Sequence, residues 1–332
     1  MMTPQHRSIT SLEPETMSVK FRPIGGPIAI LPAMNNRFAA AILSAGGEVA
    51  ELSDATRGIV CLASSGSEAL TAALTRYPGI EWVQLPWAGV DAFADVLERF
   101  RGTGRRLWTS AKGAYAQPVA EHALALTLAL LREFPKRVMA TSWSVEPEGR
   151  SLFGLSVVIV GAGGIALELI RLMQPFGVRV TVVRRKLVGV PTAQLTVTTA
   201  QLDEVLPDAD VLILAAAATV ETADLIDAKQ LALMKPSAIL INIARGNLVN
   251  TTALTAAIYD GRLAGAGLDV TAPEPLPDGH PLWNHPQVII TPHSADTPQM
   301  TAPLLAERIS VNVKAMLENG NFVGIVDLNS GY

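Results

Sequence analysis

The chain has 332 residues, of which 49% are hydrophobic and 17% are charged, and its formal net charge at pH 7 is -4. This length allows two domains with full-sized cores, and the apolar content excludes an intrinsically disordered chain. The negative charge argues against nucleic acid or an anionic membrane surface as the main partner, and no apolar run is long enough to span a bilayer.

Both the first residues and the single cysteine allow a prediction. Residues 1–16 are mostly polar with prolines, and we expect a disordered tail there. Cys61 is the only cysteine, which excludes an intrachain disulfide and favours a reducing, cytoplasmic compartment. Because Cys61 lies in an apolar run, we expect a buried and unreactive thiol.

The first part of the chain alternates short apolar runs with helical patterns. The pattern predicts helices over 36–43 and 67–75 and strands over 27–31, 48–52, 58–62 and 81–85. A helix over 117–133 follows and is interpreted as a core or interface helix. This alternation is typical of a parallel α/β sheet.

A second run of strands begins at Leu155. After a first strand ending at Val160, further buried strands are predicted over 178–183, 209–214, 238–243, 264–269 and 288–291. The last helix, over about 301–318, is expected to fold back onto the first domain. The predicted fold is therefore α/β, with two Rossmann-like or flavodoxin-like domains of parallel sheet.

A glycine-rich turn follows the first strand of the second domain. Gly161 allows a tight turn, and Gly163 lets the backbone approach a pyrophosphate, while Gly164 and Ile165 begin a helix. The N–H groups of that helix would bind the phosphates of a dinucleotide. The alternative is an ordinary strand-turn-helix without a ligand.

The end of the next strand bears on the choice of cofactor. An NAD-specific fold places an acidic residue there, about 20 residues past the first glycine. This chain has Arg184 and Arg185 followed by Lys186. Because Arg can bind a 2′-phosphate bidentately, the sequence predicts NADP(H) in preference to NAD(H). A solvated basic turn is the alternative.

Together these patterns divide the chain into a substrate domain, 17–117 with 296–332, and an NADP-binding Rossmann domain, 118–295. Three polar residues follow late strands of the second domain: Arg245, Glu274 and His293. Ligands of open α/β sheets bind outside the carboxyl ends of the strands, so these side chains are candidates for catalysis. Taken singly, each could instead be a surface or loop residue. No histidine has metal-ligand spacing, and we predict no metal site.

Five segments of the chain, in their order and spacing, resemble the D-isomer-specific 2-hydroxyacid dehydrogenases. They are Gly161–Ala166, Asn242–Val249, Gly267–Pro277, His280–Trp283 and Thr291–His293. Two segments of the first domain, Trp87–Asp91 and Val119–His122, are similar to the glyoxylate/hydroxypyruvate reductase branch.

The resemblance implies a role for each candidate. Arg245 would hold the substrate carboxylate and carbonyl oxygen, and His293 would donate a proton while the cofactor delivers hydride. Glu274 would hydrogen-bond His293 and keep it protonated. The resemblance also implies that the active site lies in the interdomain cleft, where closure would exclude water.

The remaining implied contacts belong to the cofactor and the substrate carboxylate. Asp269 would contact the nicotinamide side of the cofactor, and Ala217, Ala244 and His293 would also bind the cofactor. Backbone groups at Ser64, Ala88 and Gly89 would bind the substrate. Asn250 replaces a common acidic residue and is predicted to be a helix cap.

The leading hypothesis is therefore NADPH-dependent reduction of a small 2-oxoacid, of the glyoxylate or hydroxypyruvate type, to the D-2-hydroxyacid. One alternative is a phosphoglycerate-type dehydrogenase, and another is a non-catalytic dinucleotide sensor similar to transcriptional corepressors. The resemblance also implies a homodimer, with the helix around 123–131 at the interface.

Overall fold

A computed structural model describes residues 21–63, 68–103 and 105–328, which form two compact units. The first unit comprises the described residues up to Tyr115 together with those from Pro298 onward, and the second comprises Ala116–Thr297. The expected tail lies outside the described residues. The sequence predicts domain boundaries at 117/118 and 295/296. The two units of the structure divide at 115/116 and 297/298.

The helices and strands follow one another along the chain in a largely alternating order. The strands are β1 (Ile28–Leu31), β2 (Gly58–Cys61), β3 (Trp82–Gln84), β4 (Leu107–Thr109), β5 (Ser156–Val160), β6 (Arg179–Arg184), β7 (Leu195–Thr198), β8 (Val211–Leu214), β9 (Ile239–Asn242), β10 (Gly265–Leu268) and β11 (Val288–Ile290). The helices are α1 (Asn36–Ser44), α2 (Glu68–Arg76), α3 (Ala94–Arg99), α4 (Ala116–Leu131), α5 (Phe134–Val138), α6 (Gly164–Met173), α7 (Leu202–Val205), α8 (Ala228–Leu233), α9 (Thr251–Tyr259) and α10 (Pro298–Leu317).

The first unit contains a parallel four-stranded sheet in the order β1-β2-β3-β4. The strand predicted over 48–52 is wrong, because only Val49 forms an isolated parallel bridge, with Ile28. Charged residues at Glu48 and Glu51 leave too few apolar side chains to bury a full strand at this edge. Cys61 is buried as predicted, and burial raises the pKa of its thiol.

The second unit contains seven parallel strands in the order β11-β10-β9-β8-β5-β6-β7. The strand order reverses beside β5, which is the doubly-wound arrangement, and ligands of such sheets bind at that switch point. The edge strand β7 was not predicted, because its first residue, Leu195, is exposed and threonines interrupt its apolar pattern.

Helix α4 packs its apolar face into the core of the second unit. Ala123, Leu126 and Leu130 are buried, and a Cβ built on Gly267 would lie 3.1 Å from the Cβ of Leu126. The glycine therefore lets the helix approach β10 closely, which makes this face of α4 a core face. Asn250 caps α9 as predicted, since its side chain accepts a hydrogen bond from the N–H of Ala253 at 3.0 Å.

The long final helix, α10, belongs to the first unit and packs there against α1. Its buried Asn312 donates to Gln84 and to the carbonyl of Val323, and so ties the C-terminal segment to the sheet. Among the helices within the described ranges, none is both long and apolar enough to cross a membrane.

Candidate active site

The turn between β5 and α6 lies at the switch point of the second sheet. Gly161 has φ +116°, and a Cβ at this position would overlap the carbonyl group of Ala215, which follows β8. Both observations require glycine there. The backbone of the turn consequently lies against the end of the neighbouring strand, without a side chain between them.

Helix α6 begins directly after this turn, at Gly164. Gly163 is the extended N-cap of the helix, and a Cβ built on it would meet no atom within 4 Å. Within the part of the chain that the structure describes, no side chain caps this helix. The first-turn N–H groups, beginning with Gly164 and Ile165, thus face a space that an anionic group can enter.

Two arginines stand at the carboxyl end of β6. Arg184 is half-buried, and its Nη1 donates to the carbonyl of Val188 at 3.0 Å. Arg185 is exposed and lies near Glu221. A hydrogen bond from Thr219 lowers the pKa of the Glu221 carboxyl, and the charge of Arg185 lowers it further. The basic strand end therefore faces the segment that follows β8.

The segment after β9 is held by its last residue, Asn242. The buried Asn242 side chain donates to the carbonyl of Arg245 at 2.9 Å and accepts from the N–H of Ala244 at 3.0 Å. Arg245 Nη1 donates to the carbonyl of Ala244 at 2.8 Å. A Cβ at Gly246 would overlap Thr271 backbone atoms, so the loops after β9 and β10 touch through this glycine.

His293 and Glu274 form the central pair of the site. Nδ1 of His293 lies 2.7 Å from Oε1 of Glu274, and the two side chains are 48% and 43% exposed. An ionised carboxylate can only accept a hydrogen bond, so Nδ1 carries the proton of this pair. The other ring nitrogen, Nε2, is then the atom that can exchange a proton with a bound molecule.

The backbone at His293 is unusual and firmly held. Its φ is +50°, which is uncommon for a residue with a side chain and is often found at functional sites. The N–H of His293 donates to the carbonyl of Asp269 at 2.8 Å and to that of Thr291 at 2.9 Å. These bonds fix the direction in which the imidazole leaves the loop.

Asp269 is 2% exposed and binds the same loop through its side chain. Its Oδ1 accepts from the hydroxyl of Thr291 at 2.6 Å and from the N–H of Ser294 at 2.8 Å, while Oδ2 accepts from the N–H of Ala295 at 3.1 Å. His122 Nε2 lies 3.0 Å from the Thr291 hydroxyl oxygen. Neither His122 nor Thr291 was predicted to be a site residue, although both lie in segments that carry the family resemblance, because those segments alone do not show that the two side chains meet.

Asp296 is a further carboxylate that the sequence did not indicate. Burial raises the pKa of Asp296, the negative charge of Asp269 adds to this, and the positive charges of His293 and Arg245 oppose it. These couplings place Asp296 within electrostatic range of all three residues. It follows no strand directly and belongs to no recognised pattern, so only the folded chain brings it to the site.

The other predicted site residues are placed as follows. Ala217 is exposed and accepts at its carbonyl from the Thr222 hydroxyl, whereas Ala244 is 6% exposed. Ala88 and Gly89 are half-buried after β3, in the first unit. Ser64 lies outside the described residues. Among the residues that are described, no group of His, Cys, Asp or Glu could hold a metal ion.

Comparison with known proteins identifies relatives over most of the chain. A family model described as "D-isomer specific 2-hydroxyacid dehydrogenase, NAD binding domain" matches residues 123–295. A Corynebacterium melassecola protein described as uncharacterized is 38% identical over 258 residues, which cover 76% of this chain and 84% of its own. Glyoxylate/hydroxypyruvate reductase A of Serratia proteamaculans is 32% identical over 253 residues, or 74% and 79% of the two chains.

A third relative matches over a shorter stretch. D-3-phosphoglycerate dehydrogenase of Mycobacterium bovis is 39% identical over 178 residues, which cover 52% of this chain and only 34% of the relative. Most of the length of the Mycobacterium bovis enzyme therefore lies outside this match.

Solved structures share the fold. A Thermus thermophilus protein aligns with a TM-score of 0.72 and 29% identity, covering 91% of this chain and 100% of its own. A D-isomer specific 2-hydroxyacid dehydrogenase of Xanthobacter autotrophicus, solved with NADPH and MES, aligns with a TM-score of 0.77 and 24% identity over 93% and 100% of the chains. The resemblance inferred from the sequence is confirmed: this chain belongs to the D-isomer specific 2-hydroxyacid dehydrogenase family and is an NAD(P)-dependent oxidoreductase.

Proposed function

We propose that the protein reduces a small 2-oxoacid of the glyoxylate or hydroxypyruvate type to the D-2-hydroxyacid, with NADPH as the preferred cofactor. The observation that carries this proposal is the pair of His293 and Glu274, joined at 2.7 Å at the carboxyl edge of the second sheet. An imidazole with one nitrogen fixed by a carboxylate and the other exposed can act as a proton donor to a carbonyl oxygen.

The proton moves through His293 alone. Glu274 accepts from Nδ1, stabilises the doubly protonated ring and orients it, while Nε2 gives its proton to the oxygen of the substrate as that oxygen gains negative charge. In the reverse direction, Nε2 takes the proton back from the hydroxyl group. Glu274 therefore acts as a positioning and charge-stabilising partner.

Arg245, on the adjacent loop, would bind the substrate. A guanidinium is planar, stays charged and donates in a fork that fits a carboxylate, which every 2-oxoacid carries. The bond from Asn242 to the Arg245 carbonyl supports this role, because it fixes the backbone from which the side chain projects. Polarisation of the carbonyl group by the same guanidinium would make the carbonyl carbon a better acceptor of hydride.

The residues at the switch point fit a nicotinamide dinucleotide. Gly161 allows the tight turn, and the uncapped first turn of α6 provides N–H groups for a pyrophosphate. When bound, the cofactor supplies the hydride for the carbonyl carbon. Predicted contacts of Ala217, Ala244 and Asp269 with its nicotinamide end, and of Ser64, Ala88 and Gly89 with the substrate, belong to the same proposal.

The preference for NADPH rests on Arg184 and Arg185. Arg184 is the last residue of β6 and Arg185 follows it, at the position where a 2′-phosphate on the adenosine ribose would need positive charge and an acidic residue would repel it.

A second candidate is oxidation of a D-2-hydroxyacid of the phosphoglycerate type, which is favoured by the 39% identity to the Mycobacterium bovis enzyme. The same residues would run this reaction in the opposite direction, with His293 as the base. The longer match to a glyoxylate/hydroxypyruvate reductase supports the first candidate.

We also propose a cytoplasmic homodimer. The single, buried Cys61 suits a reducing compartment. Apolar side chains after α4 are exposed in the single chain, among them Val138 at 81% and Trp143 at 92%. An exposed apolar surface of this kind is typical of a protein interface, and it extends the predicted interface beyond the helix around 123–131.

The proposed chemistry is tested by replacing the central pair. His293→Ala should lower kcat for a 2-oxoacid by about 1,000-fold, since a positioned general acid contributes on the order of 10²–10⁴. Glu274→Gln should lower kcat by about 10–100-fold, a part of the same contribution, because the ring remains but its charged form loses its carboxylate partner. Oxidation of NADPH with glyoxylate and hydroxypyruvate, monitored by absorbance, measures both.

In the same assay, His285→Leu serves as the control, since His285 lies outside the site. Wild-type kcat in His293→Ala would contradict the proposal. Oxidation of 3-phosphoglycerate without reduction of small 2-oxoacids would favour the second candidate.

The choice of cofactor is tested with Arg184→Ala/Arg185→Ala. Loss of hydrogen bonds to a charged phosphate, each worth about 1.5–3 kcal/mol, should lower kcat/KM for NADPH by at least about 10-fold and leave that for NADH within about threefold. Arg179→Ala, at the opposite end of the same strand, is the matched control. Equal kcat/KM values for the two cofactors in the wild type would contradict the preference.

Asp296 predicts a dependence of stability on pH. Burial raises its pKa in the folded state, so the folded protein binds this proton more tightly than the unfolded chain does. The free energy of unfolding therefore decreases as the pH rises from the pKa in the unfolded chain through the pKa in the folded protein. Asp296→Asn should therefore have a higher Tm than the wild type at pH 7, and this difference should shrink as the pH approaches 4. Asp278→Asn, in an exposed loop, is the control. A lower Tm for Asp296→Asn at pH 7 would refute the assignment.

The homodimer is tested by sedimentation velocity at micromolar concentration. The wild type should sediment as a dimer, and Trp143→Glu should sediment as a monomer with unchanged secondary structure, because a charge would be buried in an apolar interface. Leu43→Glu, which changes an exposed apolar residue of the first unit, should remain a dimer. A monomeric wild type would rule this interface out.

A further inference from the structure

We infer that His122 and Thr291 are positioning residues for His293 and act on it through the carboxylate of Asp269. The chain of contacts runs from α4 to the end of β11 and then to the loop that carries the imidazole. The kinetic part of this inference rests on the proposed function, whereas its structural part does not.

The first link is the anchoring of the loop by Asp269. This one residue binds the loop at successive positions: its carbonyl accepts from the N–H of His293, and its carboxylate accepts from those of Ser294 and Ala295. The φ of +50° at His293 is sparsely populated for a side-chain-bearing residue and persists only where the surroundings hold it. The hydrogen bonds of Asp269 hold the backbone in this conformation. Asp269 is 2% exposed, so water does not compete for these bonds.

The second link is the hydroxyl of Thr291. A hydroxyl has a single proton, and at 2.6 Å from Oδ1 of Asp269 this proton is donated to the carboxylate. The hydroxyl oxygen therefore presents only lone pairs to His122 Nε2, 3.0 Å away. It follows that His122 carries a proton on Nε2 and donates it to Thr291.

The third link is the position of His122 itself. Its side chain is 22% exposed, and Nε2 also lies 3.6 Å from Oδ1 of Asp269, so the N–H dipole stabilises the carboxylate as well as the hydroxyl. Because His122 belongs to α4, whose apolar face is packed in the core, it ties the loop to a rigid element. A hydrogen-bonded series of this kind polarises each member and orders the last one.

The consequence concerns kcat more than binding. Small misplacements of a catalytic group cost large factors in rate, whereas the substrate carboxylate is assigned to Arg245 and the phosphates to the turn at Gly161. Weakening the series should therefore move the imidazole and slow proton transfer, while KM for the 2-oxoacid and the Kd for NADPH change little.

The kinetic test compares variants that keep or remove each polar group. His122→Leu and Thr291→Val remove the donor and the hydroxyl, and each should lower kcat by about 10-fold while the KM for glyoxylate and the Kd for NADPH stay within about twofold. His122→Gln keeps an N–H donor and Thr291→Ser keeps the hydroxyl, and each should restore kcat to within about threefold of the wild type.

Matched controls separate positioning from general destabilisation. Thr127 is a buried threonine on the same helix whose hydroxyl bonds to the carbonyl of Ala123, and Thr127→Val should leave kcat unchanged. His285→Leu is the control for His122→Leu. An equal loss of kcat in Thr127→Val and Thr291→Val, or in His122→Gln and His122→Leu, would overturn the inference.

A measurement without turnover tests the structural part. In Thr291→Val and His122→Leu, hydrogen–deuterium exchange at the amides of His293, Ser294 and Ala295 should be about 10-fold faster than in the wild type, since local opening is then easier. Thr127→Val should not change it. Unchanged exchange in Thr291→Val would refute the inference. If the wild type reduces no 2-oxoacid, the proposed function fails, and the exchange rates still decide whether these residues hold the loop.

Discussion

The site depends on the 2.7 Å hydrogen bond between His293 and Glu274. It joins side chains from the loops that follow two adjacent strands, β10 and β11, and it leaves the two ring nitrogens with different partners. Nδ1 is committed to the carboxylate, so only Nε2 remains for a substrate. Both side chains are partly exposed, which lets a small molecule reach the imidazole without a rearrangement of the core.

Buried polar residues at the strand ends support that bond. Asn242 and Asp269 are buried polar residues at the carboxyl ends of buried strands. The Asn242 side chain hydrogen-bonds to the loop that carries Arg245. The Asp269 side chain hydrogen-bonds to the loop that carries His293. A buried amide or carboxylate without partners would be costly, so these loops have one favourable arrangement. The cost of burying polar groups therefore gives the site its rigidity.

The charges of the site are mixed. The basic side chains of Arg245 and His293 are accompanied by the acidic side chains of Glu274, Asp269 and Asp296, and burial raises the pKa of Asp296. A site with fewer carboxylates would bind an anionic acid more tightly, because like charges repel. Their presence suits the proposed role of His293, in which carboxylates stabilise the cationic form of the imidazole before it gives a proton to the substrate.

The sequence by itself determined the α/β class, the glycine turn and the basic end of β6, and it made Arg245, Glu274 and His293 the candidates for catalysis, because each leaves a local pattern of apolar runs, glycines or strand-end polar residues. It failed where a pattern was short or where contacts are non-local: the strand predicted over 48–52 is only one bridge, β7 was missed, and no site role was predicted for His122, Thr291 and Asp296. Those three residues are recognised only through their neighbours. The tertiary structure alone decided the contacts and burial of these residues, because both depend on distances between segments far apart in the chain.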